Sequence, residues 1–312
     1  MGYPEGNLKR WEGANLHYTG TIWRPPYESA SLLLEATAGC THHRCKFCTL
    51  YEELPFRFRM SPMEDIEADL REAAAVLRGK HPVSRVFLTG ANPFVLQAAR
   101  LLEIAEQIRR YFPECETVGC FSRITDAALK SDEELARLRA AGFDGLTLGI
   151  ETGDDEALTF MHKGYLARDI LEQCGRLDAA GIRYHFFYLT GICGAGKGEQ
   201  GAAATARLCN RLHPQRIGAS MLTVYPSSEL YVELQKGAWR EESELEKYRE
   251  LKTLVAGLEI PVWFGALGAS NAIPLQGTLP KDRQALLDAL DRILGGISEH
   301  ELRRYRTELR HL

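Results

Sequence analysis

The chain has 312 residues, a length that fits one large domain or two small ones and allows a substantial buried core. Its residues are 45% hydrophobic and 26% charged, which excludes disordered, collagen-like and coiled-coil proteins. The net charge is -4, and no basic run is interleaved with aromatic residues, so the composition argues against a nucleic-acid partner.

The N-terminal lead segment, residues 1–30, has no apolar signal core, and Gly6 stands where myristoylation would require Ser or Thr. No run of about eighteen apolar residues follows anywhere, which argues against a membrane-spanning helix. These features predict a cytoplasmic protein without a membrane partner. Of the 8 cysteines, three crowd into one short stretch, which in a cytosolic protein indicates metal binding more than a disulfide scaffold.

From residue 31 to residue 226, short apolar runs alternate with stretches of helical periodicity, the pattern of parallel strands joined by helical crossovers. Ser61, Ser131 and Asp154 precede acidic helix starts, and Asn92 precedes Pro93. The predicted strands are Leu32 to Thr37, Arg85 to Thr89, Thr117 to Ser122, Gly145 to Ile150, Tyr184 to Thr190 and Gly218 to Tyr225. Such a series forms either a doubly wound sheet or a partial barrel, and both place chemistry at the carboxyl ends of the strands.

The pattern changes after Pro226. A charged helix from Glu242 to Leu258 comes first, followed by an aromatic strand from Val262 to Phe264, a polar loop through Leu279 and two closing helices. Because residues 227–312 are few for an independent domain, we expect a C-terminal α/β extension that covers the parallel-strand region.

Three cysteines, Cys40, Cys45 and Cys48, lie directly after the first predicted strand. Two residues separate Cys45 from Cys48, which is the spacing of a metal-binding knuckle. Zinc completed by His42 or His43 is one interpretation, and three buried free thiols are another. An iron–sulfur cluster is favoured, because three thiolates on a four-iron cluster leave one iron open to a ligand, whereas structural zinc sites are closed.

The cysteine loop, with aromatic Phe47 before its last cysteine, resembles the radical S-adenosylmethionine (radical SAM) enzyme superfamily over residues 32–226. The family usually has three residues between its first two cysteines, and this chain has four. The resemblance implies a partial (β/α)6 TIM-like barrel. It also implies that Cys40, Cys45 and Cys48 bind a 4Fe-4S cluster, with S-adenosyl-L-methionine (SAM) as the second cofactor.

Other stretches carry the same resemblance. Gly90-Ala91-Asn92 stands where the family has a turn that holds the SAM ammonium, although Asn92 could instead cap the helix that opens at Pro93. Leu148 to Gly153, with Met161 to Gly164 downstream, is similar to the oxygen-independent coproporphyrinogen oxidases. That similarity implies SAM contacts from Glu151 and Lys163 and packing of Phe47 on adenine. A solvated Glu151–Lys163 pair and a core Phe47 are the alternatives.

The glycine-rich turn from Gly191 to Gly198 has the spacing of a phosphate-binding loop, except that Gly198 stands where Ser or Thr would bind magnesium. We therefore do not predict nucleoside triphosphate binding. In the family interpretation this turn lets the backbone approach SAM closely, since glycine has no Cβ. Tyr188, Gly191 and Ile192 are then expected to contact SAM.

The resemblance implies an oxygen-sensitive enzyme that cleaves SAM reductively to a 5'-deoxyadenosyl radical, which abstracts hydrogen from a small-molecule substrate. The electron would come from reduced ferredoxin or flavodoxin. Candidate catalytic residues at strand ends are Cys120, Cys193 and Tyr225, although a cysteine there is more often plain core. The alternatives are a SAM-dependent methyl or aminocarboxypropyl transferase and a zinc-stabilised binding protein.

Overall fold

The computed structural model describes residues 16–77 and 82–308, so the first half of the predicted lead segment lies outside the described residues. The strands are β1 (Leu32–Glu35), β2 (Thr37–Gly39), β3 (Phe58–Met60), β4 (Arg85–Thr89), β5 (Thr117–Ser122), β6 (Leu146–Glu151), β7 (Tyr184–Thr190), β8 (Arg216–Met221), β9 (Val262–Ala266) and β10 (Leu275–Leu279).

The helices begin with α1 (Met63–Leu77), α2 (Ala98–Tyr111), α3 (Ile124–Ala128), α4 (Asp132–Ala140), α5 (Asp155–Phe160) and α6 (Ala167–Ala179). They continue with α7 (Gly198–Cys209), α8 (Glu229–Gln235), α9 (Glu244–Gly257), α10 (Arg283–Gly296) and α11 (Glu299–Thr307). Short 3-10 helices cover Pro26–Glu28 and Pro93–Val95. Among the described residues, no helix is both long and apolar enough to cross a membrane.

The main sheet has eight strands in the order β1-β4-β5-β6-β7-β8-β9-β10, and β2 and β3 form a separate ladder. In the main sheet β1 pairs parallel with β4, β4 with β5, β7 with β8 and β8 with β9, whereas β9 and β10 pair antiparallel. The sheet is open and its strands alternate with helices, so the predicted α/β class with a partial TIM-like barrel is confirmed.

Local sequence signals account for many element boundaries. The side chain of Ser131 accepts a hydrogen bond from the Glu134 amide and forms a capping box at the start of α4. The Asp154 side chain accepts from the Ala157 amide and caps α5 in the same manner. Gly142 and Gly181 adopt positive φ angles of 88° and 72° after α4 and α6, which is the backbone conformation that favours glycine at a helix end.

The strand predicted from Gly218 to Tyr225 lies earlier in the chain, as β8, and two other differences change the strand pairing. The first strand is interrupted at Ala36, whose carbonyl accepts from the Ser61 amide at 3.0 Å, so the chain leaves the main sheet and pairs with β3. The predicted polar loop through Leu279 contains β10, which pairs antiparallel with β9. In β10 only the end residues Leu275 and Leu279 are buried, too weak an apolar alternation to mark a strand by sequence.

The described chain forms two compact units. The first comprises residues 16–43, 50–77, 82–147 and 180–182, and its core includes Leu34, Phe87, Phe94 and Phe143. The second comprises residues 44–49, 148–179 and 183–308, and its core includes Tyr184, Phe186, Leu251 and Phe264.

Candidate cofactor and active site

The first cysteine of the loop belongs to the first unit. The backbone amide of Cys40 donates to the carbonyl of Arg57 at 2.8 Å, and the carbonyl of Gly39 accepts from the Ala91 amide at 3.3 Å. Gly39 has a φ angle of 79°, and a Cβ there would lie 2.2 Å from the Arg57 carbonyl oxygen. Glycine is therefore required for the chain to turn out of β2 into Cys40.

The other two cysteines belong to the second unit. The Cys48 amide donates to the Cys45 carbonyl at 3.0 Å, which closes the predicted knuckle turn. Cys45 is half-buried and Cys48 is exposed. Among the residues that the structure describes, no three His, Cys, Asp or Glu side chains are grouped to hold a metal ion. The ligand set Cys40, Cys45 and Cys48 therefore remains a prediction.

The chemistry of these donors fits an iron–sulfur cluster, because thiolates are its usual ligands. Lys163 adds a second feature of fit, since its ammonium interacts electrostatically with Cys45 in the same unit. Metal binding and the ordering of its ligands are coupled.

Glu151 and Lys163, which the sequence singled out, form a buried ion pair. The Lys163 Nζ lies 3.0 Å from the Glu151 Oε1. Burial lowers the pKa of Lys163, but Glu151, Tyr165 and Cys45 together outweigh burial, and the pKa is raised well above its usual value. The side chain therefore stays charged. Lys163 also lies over the Phe47 ring, 5.7 Å from its centroid.

The backbone at Glu151 is strained. Its φ angle of 65° is in the left-handed region that L-residues with long side chains rarely adopt. The solvated-surface alternative does not hold, because the side chains of Lys163 and Glu151 are only 6% and 14% exposed. Strained residues with a buried charge concentrate at functional sites, so this end of β6 is the part of the second unit best suited to a charged ligand.

Asn92 in the first unit is fully buried and engaged by protein groups. Its Nδ2 donates to Thr41 Oγ1 at 2.8 Å and to both oxygens of Asp126 at 3.1 and 3.2 Å. Asn92 does not cap the following 3-10 helix with its side chain. Gly90 nearby has a φ angle of 115°, and a Cβ there would lie 2.0 Å from Thr37 Oγ1, so only glycine fits.

Asp126, which sequence reasoning missed, lies in α3 and completes this cluster. The Arg123 amide donates to its Oδ2 at 2.8 Å, in addition to the two bonds from Asn92. Burial raises the pKa of Asp126 to about 6 despite these donors. An Asp near the start of a short helix gives no sequence signal that separates a buried acid from an ordinary capping residue.

Tyr188 and Gly191 contact an acid from α9. The Tyr188 hydroxyl donates to Glu250 Oε1, and the Gly191 amide donates to Glu250 Oε2 at 2.8 Å. Burial and the adjacent carboxylate raise the pKa of Tyr188 well above its usual value. Ile192 is fully buried in an apolar cluster with Cys193 and Met161. The proposed SAM contacts of Tyr188, Gly191 and Ile192 remain predictions.

The glycine-rich turn after β7 is occupied by acidic side chains. Besides Gly191, the amide of Gly196 donates to a carboxylate, Glu246 Oε1, at 3.1 Å. Lys197, the position of the phosphate-binding lysine in a nucleotide loop, pairs with the exposed Glu156. Carboxylates at these positions repel phosphate, which agrees with the prediction that the turn is not a nucleotide-binding loop.

Glu242 is a second buried acid that sequence reasoning missed. It is fully buried, and among the described residues its oxygens have no hydrogen-bond partner other than the Glu250 carboxyl group. Its neighbour is the Glu250 carboxyl, and a Cβ on Gly198 would lie 2.1 Å from Glu242 Oε1 and 2.7 Å from Glu250 Oε2. Burial, together with the charge of Glu250, raises the pKa of Glu242, so the pair retains a proton.

The three candidate catalytic residues have different surroundings. Cys120 is fully buried, and burial raises the pKa of its thiol. Cys193 is buried beside Thr152 Oγ1, 3.9 Å from its sulfur, and burial likewise raises its thiol pKa. Tyr225 is half-buried, and its carbonyl accepts from Ser228 at the start of α8. These thiols stay protonated at neutral pH, the form that donates a hydrogen atom.

Residues 34–206 match the sequence family described as the radical SAM superfamily. This match covers more than half of the chain, and the chain therefore belongs to the radical SAM superfamily. It is an enzyme of that superfamily, and its cofactors are a 4Fe-4S cluster and SAM. No curated protein matches the sequence.

Solved structures with the same fold include coproporphyrinogen III oxidase (HemN) from Escherichia coli, a radical SAM enzyme. It is 18% identical with a TM-score of 0.56, covering 72% of this chain and 51% of HemN. The radical SAM methyltransferase TsrM from Kitasatospora setae is 20% identical with a TM-score of 0.52, covering 66% of this chain and 37% of TsrM.

Methylornithine synthase (PylB) resembles the chain over nearly the full length of both. It is 15% identical with a TM-score of 0.52, covering 98% of this chain and 93% of the synthase. At these identities the likeness shows the fold alone. The chain spans 51% of the length of HemN and 37% of the length of TsrM. The activities of those proteins are therefore not transferred to it.

Proposed function

We propose that this enzyme uses reductive cleavage of SAM to abstract hydrogen from a small-molecule substrate, with Cys40, Cys45 and Cys48 as the cluster ligands. The bound cluster supplies the electron that breaks a carbon–sulfur bond of SAM. Superfamily membership supports the cluster and the cleavage of SAM. The identity of the substrate and the hydrogen-abstraction step are the proposed parts.

The observation that carries this proposal is the buried Lys163–Glu151 pair beside the knuckle. Lys163 lies over Phe47 and interacts with Cys45, so a fixed cation sits next to the predicted ligand loop. In the proposed role Lys163 pairs with the SAM carboxylate, and the released Glu151 carboxylate accepts from the SAM ammonium or a ribose hydroxyl. Lys163 then exchanges one carboxylate for another, and Glu151 keeps a hydrogen-bond donor in place of the lysine.

The remaining roles rest on protonation and packing. Cys120 and Cys193 are buried thiols that hold their proton, which supports hydrogen-atom donation to a substrate radical. Tyr225 lies at the entrance to α8 and is proposed to contact the substrate. Reduced ferredoxin or flavodoxin is the proposed electron donor, and a cytoplasmic location is proposed to keep the oxygen-sensitive cluster intact.

The decisive experiment replaces a predicted ligand. The protein is reconstituted anaerobically with iron and sulfide, reduced with dithionite, and examined by electron paramagnetic resonance with and without SAM. Wild type is expected to show a reduced-cluster signal that changes shape with SAM, together with 5'-deoxyadenosine as product. The Cys45→Ala variant is expected to lose the signal and to lower product formation by at least about a thousandfold, since an essential ligand is missing.

Cys115→Ala is the matched control, because Cys115 is a buried cysteine of the first unit outside the loop. A Cys45→Ala protein that still cleaves SAM would exclude the proposed ligand set. Methylthioadenosine or adenosylhomocysteine in place of 5'-deoxyadenosine would replace hydrogen abstraction by group transfer. A silent sample with stoichiometric zinc would assign the knuckle to a structural site.

A further inference from the structure

Lys46, the residue after the second cysteine of the loop, is a buried lysine with three side-chain contacts. Its Nζ lies 3.1 Å from Glu233 Oε1 and 3.7 Å from Glu229 Oε1, both on α8. The same ammonium lies over the Phe160 ring at the end of α5, 4.4 Å from its centroid. Its side chain is 10% exposed, so these groups replace most of its water shell.

The backbone of Lys46 is fixed to the same two segments. Its amide donates to the carbonyl of Met161 at 3.2 Å, and its carbonyl accepts from the Leu230 amide at 2.7 Å. The latter contact satisfies one of the amides that the start of α8 would otherwise leave unpaired. Side chain and backbone therefore bind the knuckle to the end of α5 and the start of α8.

Phe47, the next residue, makes a second contact of this kind. The ammonium of Lys163, which is paired with Glu151, lies over the Phe47 ring. The two residues between Cys45 and Cys48 thus each take part in one cation–aromatic contact with residues 160–163, as the cation in one case and the ring in the other.

We propose that Lys46 is a positioning residue that holds the Cys45–Cys48 knuckle ordered against α5 and α8 before and after the cluster is bound. The inference rests on the proposed ligand role of these cysteines, but the anchor itself is a property of the protein without iron. Its physical basis is charge burial, because a buried cation with two carboxylates and a ring keeps one position, whereas a neutral chain leaves the carboxylates unpaired.

The first test measures the anchor without the cluster. Amide hydrogen exchange is followed in the iron-free protein for wild type, Lys46→Met and Lys46→Arg. In Lys46→Met, the backbone amides of residue 46, Cys48 and Leu230 are expected to exchange at least about tenfold faster, because local opening of the knuckle becomes easier. Lys46→Arg is expected to keep exchange rates within about threefold of wild type, since the guanidinium can keep both carboxylate contacts.

The second test measures ligation. Reconstituted proteins are challenged with an iron chelator, and the loss of the iron–sulfur absorption is timed. Lys46→Met is expected to lose its cluster about 10–100-fold faster, the usual range for groups that orient metal ligands. Its electron paramagnetic resonance signal is expected to broaden because the ligand geometry is less uniform. Lys46→Arg is expected to be close to wild type in both readings.

Lys197→Met is the matched control, because Lys197 forms an exposed ion pair with Glu156 in the same unit. If Lys46→Met does not fold, Glu233→Gln decides, since it removes the nearer carboxylate and should reproduce the faster exchange. Unchanged exchange and unchanged cluster loss in the Lys46 or Glu233 variant would overturn the anchor. A wild-type protein that takes up no cluster overturns the proposed ligand set, while the exchange measurement still decides the anchor.

Discussion

The two units each contain a buried acid, and these acids are held in opposite ways. Asp126 in the first unit accepts from the Asn92 side chain and from the Arg123 amide. Glu242 in the second unit has no partner among the described residues except another carboxyl group, that of Glu250. Both are almost completely buried, so the cost of removing water is comparable at the two sites.

The comparison shows that hydrogen-bond donors, more than burial, decide the charge of these two acids at neutral pH. Burial raises the pKa of Asp126 only to about 6, so at pH 7.5 it is ionised. The pKa of Glu242 is raised further, because burial is joined by repulsion from Glu250. The first site is therefore a charged hydrogen-bond cluster, and the second is a protonated pair.

Filling the space beside the pair should have the largest effect. Gly198→Ala places a Cβ 2.1 Å from Glu242 Oε1 and 2.7 Å from Glu250 Oε2, so these two fully buried side chains must shift. We expect the free energy of unfolding in urea to fall by about 3 kcal/mol. Gly175→Ala in α6 is the control, because nothing lies within 4 Å of its Cβ position. Equal stability of the two variants would mean that the pair is not packed against Gly198.

Neutralising Glu242 should have a smaller effect of opposite sign. In Glu242→Gln an amide N–H can donate to Glu250, so no shared proton is needed, and stability at pH 8 should rise by on the order of 2 kcal/mol. The raised pKa in the folded state means that the Glu242 contribution is present below about pH 4.3 and declines as pH rises. The variant should therefore show a flatter stability profile than wild type above that pH.

Glu241→Gln is the matched control for this substitution. The carboxylate of Glu241 pairs with Lys247 at 2.9 Å and with Arg303 at 3.1 Å, and these cations lower its pKa despite burial. The same chemical change one residue away should therefore reduce stability, by about 1 kcal/mol. Two variants that shift stability in the same direction would contradict the contrast between donor-poor and donor-rich acids.

The smallest effect is expected for Asp126→Asn and concerns the pH profile. Because the folded pKa of about 6 lies above the ordinary aspartate value of about 3.9, the Asp126 contribution is present below pH 4 and is lost as pH rises through 6. Between pH 5 and 7.5, wild type should lose about 1.4 kcal/mol more stability than Asp126→Asn. A loss of stability in Asp126→Asn as steep as that of wild type over this range would contradict the raised pKa.

Much of the fold could be predicted because apolar runs and capping residues are local signals. Arg85–Thr89 and Tyr184–Thr190 are strands with the predicted limits, and Ser131 and Asp154 cap helices as expected. The interruption at Ala36 could not be predicted, since it depends on pairing with β3, more than twenty residues further along the chain. Strand β10 was missed because its pairing with β9, and not its composition, defines it.

The residues of the candidate site show the same contrast between local signals and long-range packing. Glu151 and Lys163 could be found from a local motif, and the structure brings them together as a buried pair. Asp126, Glu242 and Glu250 could not be found, because an acid near a helix start or within a charged helix looks solvent-exposed in sequence. Their burial depends on which other helices and strands pack over them, and residue spacing carries no information about that.

The antiparallel strand at the end of the sheet bears on solubility. The strand β9 is apolar and mostly buried, and β10 pairs along it while exposing Gln276 and Thr278. A short strand with polar outward positions is a poor template for edge-to-edge association, whereas an uncovered β9 would offer an apolar one. β10 therefore protects the molecule against aggregation at this edge, a role separate from catalysis.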